Sequence, residues 1–277
     1  MKRLYCLFII ILCLAISIPS YAQFTINGKN IIYDKQNDTY MACIPEDAFG
    51  KDYEAIILLD IASDWSDLSI DGTQIAYSYT FKQVEGNKLY SIHARKGNKE
   101  INTKITFTFL PLLVLQGSFG YDYAQGSMSL YSPDATEPTI SLIKAKWRGG
   151  STNTADKHKR NYKIKSINFK GKSQDISLLG MREDNNWIMD AGQIDLFRLR
   201  NRIATEIWND FATKPYYASK EPKAKSGVTG KVVEVILNNE YRGIYSLTEA
   251  MDRKELKLKK YDDKNQEFHG QLWKVSS

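Results

Sequence analysis

The chain has 277 residues and a formal net charge of +6, long enough for two modest domains once an expected leader is set aside. The positive charge is concentrated: Lys144–Lys172 holds ten Lys or Arg against one acid, Asp156, a local +9, so the rest of residues 23–277 (net +4 in all) is −5. That distribution excludes general basicity and points to a site or a face. Of the three cysteines, Cys6 and Cys13 fall in the leader, which excludes an internal disulfide and leaves Cys43 expected as a small buried residue.

Met1–Ala22 reads as a signal peptide. Lys2 and Arg3 form its positive start, Leu4–Ile18 is apolar, and Ser20-Tyr21-Ala22 ends in small residues. No other apolar run is long enough to cross a bilayer. The expected product is exported, to the periplasm, cell surface or exterior, with no membrane span after cleavage.

Residues 23–120 carry short strand-like runs separated by Asn, Asp, Gly and Lys clusters, which predict an antiparallel β-sandwich. No chemical constellation is legible there, and His93 reads as an ordinary polar group. Residues 121–137 lie in a Gly-, Ser- and Pro-rich segment and read as a linker, with Met128–Tyr131 opening the next unit. Residues 138–277 form the second domain.

Within it, LIKAKWR and NYKIKSI flank a loop rich in Gly, Ser, Thr and Asn. Strand alternation puts Lys159, Lys163 and Lys165 on one face, with Arg160, Tyr162 and Ile164 on the other. Lys144, Lys146 and Arg148 likewise share a face, opposite Ala145 and Trp147. Two readings stay open: a seat for a polyanion such as a nucleotide phosphate chain, or a solvated outer face. Trp147 and Tyr162 point away from the cations, which argues against nucleic acid as a partner.

Leu196, Leu199, Ile203, Ile207 and Phe211 recur at helical spacing, with Asp190 or Gln193 marking the start, Asp195 in the first turn and Pro215 the stop. Glu206 borders this stripe, either facing a neighbouring sheet or pairing with Arg202 at i,i+4. KVVEVILNNEYRGIYSLTEAM predicts a hairpin turning at Asn238-Asn239, with Gly243 at a bulge or close approach. GQLWKV reads as a final strand. Asp184 and Asp190 have no defined partner, His158 and His269 lack metal-ligand spacing, and no Ser/His/Asp set can be argued, so glycosidase and protease readings gain no support.

Arg148-Gly149-Gly150-Ser151-Thr152, then Lys159-Arg160-Asn161-Tyr162-Lys163-Ile164-Lys165, LLGMREDNNWIMDAGQID, Arg200-Asn201 and ILNNEYRGIYSLTEAM follow one another in order. Over roughly residues 138–275 this order resembles the CotH family, the spore-coat-protein-H-like atypical protein kinases. The resemblance implies a kinase-like fold that uses ATP and Mg²⁺ to phosphorylate proteins. It places Arg148, Gly149, Gly150 and Ser151 over the phosphates and Lys159 or Lys165 against them. Glu206 is the candidate carboxylate that orients the lysine, and Met251, with Glu249, the candidate adenine hinge.

The chain departs from the family pattern at Gly150 and Asn239, where Asn and Gly are usual. The family's acidic metal-binding residues come later than Trp273, so no catalytic or metal residue is assigned and the chain is expected to be the first lobe only. The fold class expected is α+β: an amino-terminal antiparallel β-sandwich, then a kinase-like β-rich lobe with one main helix. The alternative function is an inert surface or secreted protein that binds a protein partner through the sandwich.

Overall fold

The computed structural model describes residues 24–59, 66–154, 156–268 and 271–273. The expected leader, Met1–Ala22, and His269 lie outside them. The described residues divide into two compact units, the first from within 24–32, 39–42 and 47–107, the second from within 33–38, 43–46 and 108–273.

The first unit is built on two antiparallel sheets. One has the order β2-β1-β5-β8, from β1 (Phe24–Ile26), β2 (Lys29–Asn30), β5 (Tyr53–Leu59) and β8 (Ser78–Phe81). The other has the order β3-β4-β10-β9-β6-β7, from β3 (Ile32–Asp34), β4 (Thr39–Cys43), β6 (Ser66–Ile70), β7 (Thr73–Gln74), β9 (Tyr90–Lys96) and β10 (Lys99–Thr108). Strand β5 shows why the sheets face each other: Ala55, Ile57 and Leu59 are buried while Ile56 and Leu58 alternate outward. Phe81 on one sheet meets Tyr90 and Phe107 on the other edge-to-face, with centroids 4.9 and 4.8 Å apart. Cys43 is buried, as expected.

The second unit is a closed seven-stranded barrel in the order β11-β12-β13-β14-β15-β17-β16. Its strands are β11 (Leu112–Gln116), β12 (Ala124–Tyr131), β13 (Thr139–Arg148), β14 (Asn161–Ile167), β15 (Asn186–Asp190), β16 (Gly230–Leu237) and β17 (Glu240–Glu249). All neighbours are antiparallel except β11 and β16, whose parallel pairing closes the barrel. Alternate side chains such as Met128, Ile143, Ala145, Ile164, Trp187, Met189, Val233 and Tyr245 fill the interior.

Three expectations change here. Residues 121–137, read as a linker, carry β12, and β11 before them also belongs to the barrel. The glycines that suggested a linker serve close packing instead: a side chain on Gly126 would collide with the Gln116 carbonyl and the Phe119 ring. The helix α1 (Arg200–Phe211) starts later than expected, and its apolar stripe is not buried: Ile203, Ile207 and Phe211 are 51%, 54% and 66% exposed. Arg202 is the helix's buried residue, and α1 is held through Arg202, Trp208 and Asn209, which donate to the carbonyls of Val228, Ser226 and Val228. Asp195, expected in the first turn, lies before the helix, where it accepts from Arg200 N at 2.9 Å. Finally, Gln271–Trp273, expected in a closing strand, are not in one.

The predicted hairpin is present. Asn238 and Asn239 sit at φ 53° and 64° between the paired Leu237 and Glu240. Arg242 is the extra residue of a bulge next to Gly243, because Val235 opposes Gly243 while Ile236 opposes Tyr241.

Candidate functional site

At one end of the barrel the register brings the end of β13, the start of β14, the end of β15 and the bulge of β17 together. Arg148 pairs with Asn161, and Asp190 pairs with Ser246. Asn161 is buried and its Oδ1 accepts from Ala191 N at 2.6 Å, tying β14 to the segment after β15. Its Nδ2 donates to Thr152 Oγ1 at 3.2 Å, which anchors the loop after Arg148.

That loop is built around Gly149. Its φ of 103° suits glycine, and the Thr152 hydroxyl occupies the space a Cβ would need. Gly150 by contrast has open space around it. Ser151–Asn153 form a short 3-10 turn. Arg160 braces it from below, donating to Thr154 O at 2.6 Å and Asn153 Oδ1 at 3.3 Å while its guanidinium stacks 4.8 Å from the Trp147 ring.

Lys159 lies at this end and off the cationic strand face. Pairing of β14 begins at Asn161, so alternation does not govern Lys159. Its ammonium donates to Ile244 O and stands 4.3 Å from the Tyr245 ring centroid, beside Gly243, where a Cβ would be 3.6 Å away. Burial pushes Lys159 down to about 8, and the positive charge of Arg198 adds to this while Asp190 opposes it. Asp190 also accepts from Gly192 N and Asn201 Nδ2, both at 3.0 Å. Arg198 donates to Gly192 O at 2.8 Å.

The outer cationic face is a separate feature. Lys144 stands opposite Lys165 and Lys146 opposite Lys163. Lys146 and Lys165 both approach the Tyr123 ring, at 5.2 and 4.7 Å, which offsets part of the repulsion between like charges on facing strands.

Thus Arg148, Gly149, Gly150, Ser151 and Lys159 gather at one barrel end. Lys165 lies on the outside wall. Glu206 is ion-paired to Arg202 of its own helix at 3.2 Å, which is the surface pair weighed from sequence. Met251 is 54% exposed and lies beyond Glu249, whereas Lys159 contacts the same strand near its bulge. Asp190 and Asn201 were named from sequence without a role at this site, and Arg198 was not named. The signal was the run Asn186–Asp190, whose alternation (Trp187 and Met189 buried, Asn186, Ile188 and Asp190 not) marks a short strand ending at Asp190.

A second polar cluster lies where β17 ends. Arg182 binds Asp184 at 2.6 Å, Glu255 at 2.5 Å and Asp252 at 3.3 Å, and Lys254 binds Asp184 at 2.9 Å and Asp175 at 3.2 Å. Glu249, with its side chain fully buried, accepts from Arg182 N at 3.0 Å and Thr229 N at 2.8 Å and pairs with Lys225 at 3.3 Å. Burial pushes Glu255 up to about 7, helped by the Glu249 carboxylate and opposed by Arg182. Burial also acts on Glu249, but the N–H groups of Thr229 and Arg182 and the Lys225 charge outweigh it, leaving Glu249 below the ordinary carboxylate range.

The geometry defines a small β-barrel lobe with a glycine loop and a desolvated lysine at one mouth. Residues 145–276 match the family model described as CotH kinase protein, and this part of the chain is a CotH kinase family domain. The match begins inside β13, so β11 and β12 complete the barrel from outside the matched residues. No curated protein matches the sequence.

Cation-bearing groups and the glycine loop suit the phosphates of a nucleotide. A divalent metal is different: among the described residues no group of three or more His, Cys, Asp or Glu side chains is placed to hold one. Asp262 accepts from Lys264 N and Asn265 Nδ2, both at 2.9 Å, in its own turn.

Proposed function

We propose that the chain is a kinase-related protein whose barrel grips ATP, as the nucleotide lobe of an exported CotH-like kinase acting on protein Ser or Thr. The observation that carries this reading is Lys159, a partly desolvated ammonium from the β13–β14 connection that Gly149 opens, on a domain similar to a kinase family. In this reading the backbone of Gly149–Ser151 and Arg148 hold the phosphates and Lys159 supplies charge to them. Asp190 and Arg198 set how strongly Lys159 holds its proton. ATP, when bound, supplies the phosphoryl group for transfer. No step is assigned to Mg²⁺, because the described residues do not offer its carboxylates.

The same shortage favours a second reading, a domain that binds without catalysing, with the amino-terminal sandwich engaging a protein partner. Calorimetric titration with ATP, and transfer of labelled phosphate to a generic protein acceptor, separate the two. Binding with transfer supports the kinase. Binding without transfer supports the inert reading. No binding at all removes the nucleotide site.

A further inference from the structure

The turn Asn168–Lys172 lies outside the site just described and has an unusual make-up. Asn168 Oδ1 accepts from Lys170 N at 3.0 Å and Lys172 N at 3.1 Å, Gly171 N donates to Asn168 O at 2.8 Å, and Asn168 N donates to Lys172 O at 2.8 Å. The Asn168 side chain and the turn backbone are thus committed within the turn, and Phe169, 82% exposed, precedes two exposed lysines, Lys170 and Lys172. These bonds fix the backbone from which the Phe169 side chain projects.

The neighbouring strand extends the pattern. Leu142 pairs with Ile167, the residue that closes the turn by bridging to Ser173. Leu142 and Ile140 share the outer face of β13 and are 38% and 64% exposed. Lys144, next on that face, has its ammonium 3.9 Å from the Cβ position of Gly171. The first acid after the turn, Asp175, is engaged by Lys254. One corner of the barrel therefore presents three apolar side chains bordered by Lys144, Lys170 and Lys172.

A free polyphosphate gains from the lysines and nothing from the exposed Phe, Ile and Leu, and a single-stranded nucleic acid gains stacking on Phe169 but nothing from Ile140 and Leu142. An anionic bilayer surface takes both, the ring at headgroup depth and the ammoniums against the phosphates and carboxylates. We propose that this corner is a peripheral docking surface for membranes bearing anionic lipid, with Phe169 as the inserted residue. The proposal is independent of the nucleotide reading.

The test is co-sedimentation of the full chain with vesicles of phosphatidylcholine alone and of phosphatidylcholine mixed with phosphatidylserine. Binding is expected to the mixed vesicles only and to weaken with added salt. Phe169→Ala should weaken it about tenfold, and Lys170→Ala with Lys172→Ala about 25-fold, at about fivefold for each lysine. These side chains are exposed, so the fold is unaffected, and the leader is common to all variants, so it cannot produce the differences. Equal binding to both vesicles overturns the proposal. So does unchanged vesicle binding by Phe169→Ala, or binding of a single-stranded oligonucleotide in place of vesicles.

Discussion

The Lys159 ammonium rests on the face of the Tyr245 ring and donates to the carbonyl of Ile244, so a loop residue is fixed against the bulge of β17. Its environment holds its proton loosely, with a value of about 8. Nucleotide binding that uses this charge should be strong below pH 8 and fall as pH rises through it. Lys159→Ala should reduce ATP affinity about 10- to 100-fold, the range for a lost charged hydrogen bond. Lys165→Ala, on the outside wall, should leave it within about twofold. Titration calorimetry across pH 6.5 to about 9.5 reads both effects, since an ordinary lysine would titrate near 10.4. Equal losses in the two variants would move the site to the outer face.

Gly149 and Gly150 are adjacent in sequence and opposite in tolerance. Gly149→Ala places a methyl group where Thr152 has its hydroxyl, at a φ of 103°. It should cost roughly 1–3 kcal/mol. Gly150→Ala meets nothing within 4 Å and should cost less than about 1 kcal/mol. Urea unfolding midpoints measure the difference.

Arg182 is the hub for buried carboxylates. Arg182→Met should destabilise the barrel by about 3–5 kcal/mol, because Asp184 and Glu255 are left without its charge. Glu255 acts in the opposite sense to its neighbours. Its folded value, about 7, lies above the ordinary 4.5, so its stabilising proton is held at low pH and lost as pH rises through 7. Glu249 and Asp184, both held low, contribute above the ordinary carboxylate range and lose that contribution on acidification. Glu255→Gln should therefore flatten the stability profile between about pH 4.5 and 7 while leaving the acid limb unchanged. A profile unaltered between those limits would remove Glu255 from the account.

Helix α1 makes a sharp test of burial. Ile207 is 54% exposed, so Ile207→Ala should cost less than about 1 kcal/mol, against 2–5 for the same change in a core. Arg202→Ala should cost more, since Arg202 is 4% exposed and holds both Glu206 and the Val228 carbonyl.

How far the sequence could be read depended on whether local rules governed each residue. The Asn238-Asn239 hairpin was legible because two left-handed residues between alternating strands admit few other conformations. That Lys144 and Lys146 share a face of β13, and Lys163 and Lys165 a face of β14, followed from alternation alone, whereas which lysine stands opposite which is set by the register. Lys159 did not, because the strand pairing stops at Asn161 and tertiary contact with Tyr245 takes over. The β12 segment was hidden because Gly126 serves packing in a region whose composition suggests a connector. Periodicity placed Ile203, Ile207 and Phe211 of the expected stripe on α1, though Leu196 and Leu199 precede it, and periodicity reports which side chains share a face and not whether anything covers that face. The salt-bridged cluster at Arg182 joins residues from Asp175 to Glu255, a separation no local pattern encodes.

The parallel pairing of Leu112–Leu115 with Glu234–Leu237 has a consequence for synthesis on the ribosome. Strand β11 is made about 120 residues before the strand that covers its free edge, so its unpaired N–H and C=O groups wait while the rest of the barrel emerges. Closing so long a loop is entropically slow. A nascent chain stalled before Gly230 therefore displays an apolar edge strand, Leu-Leu-Val-Leu, open to pairing with a second chain, which makes this interval the period of greatest need for a holding chaperone.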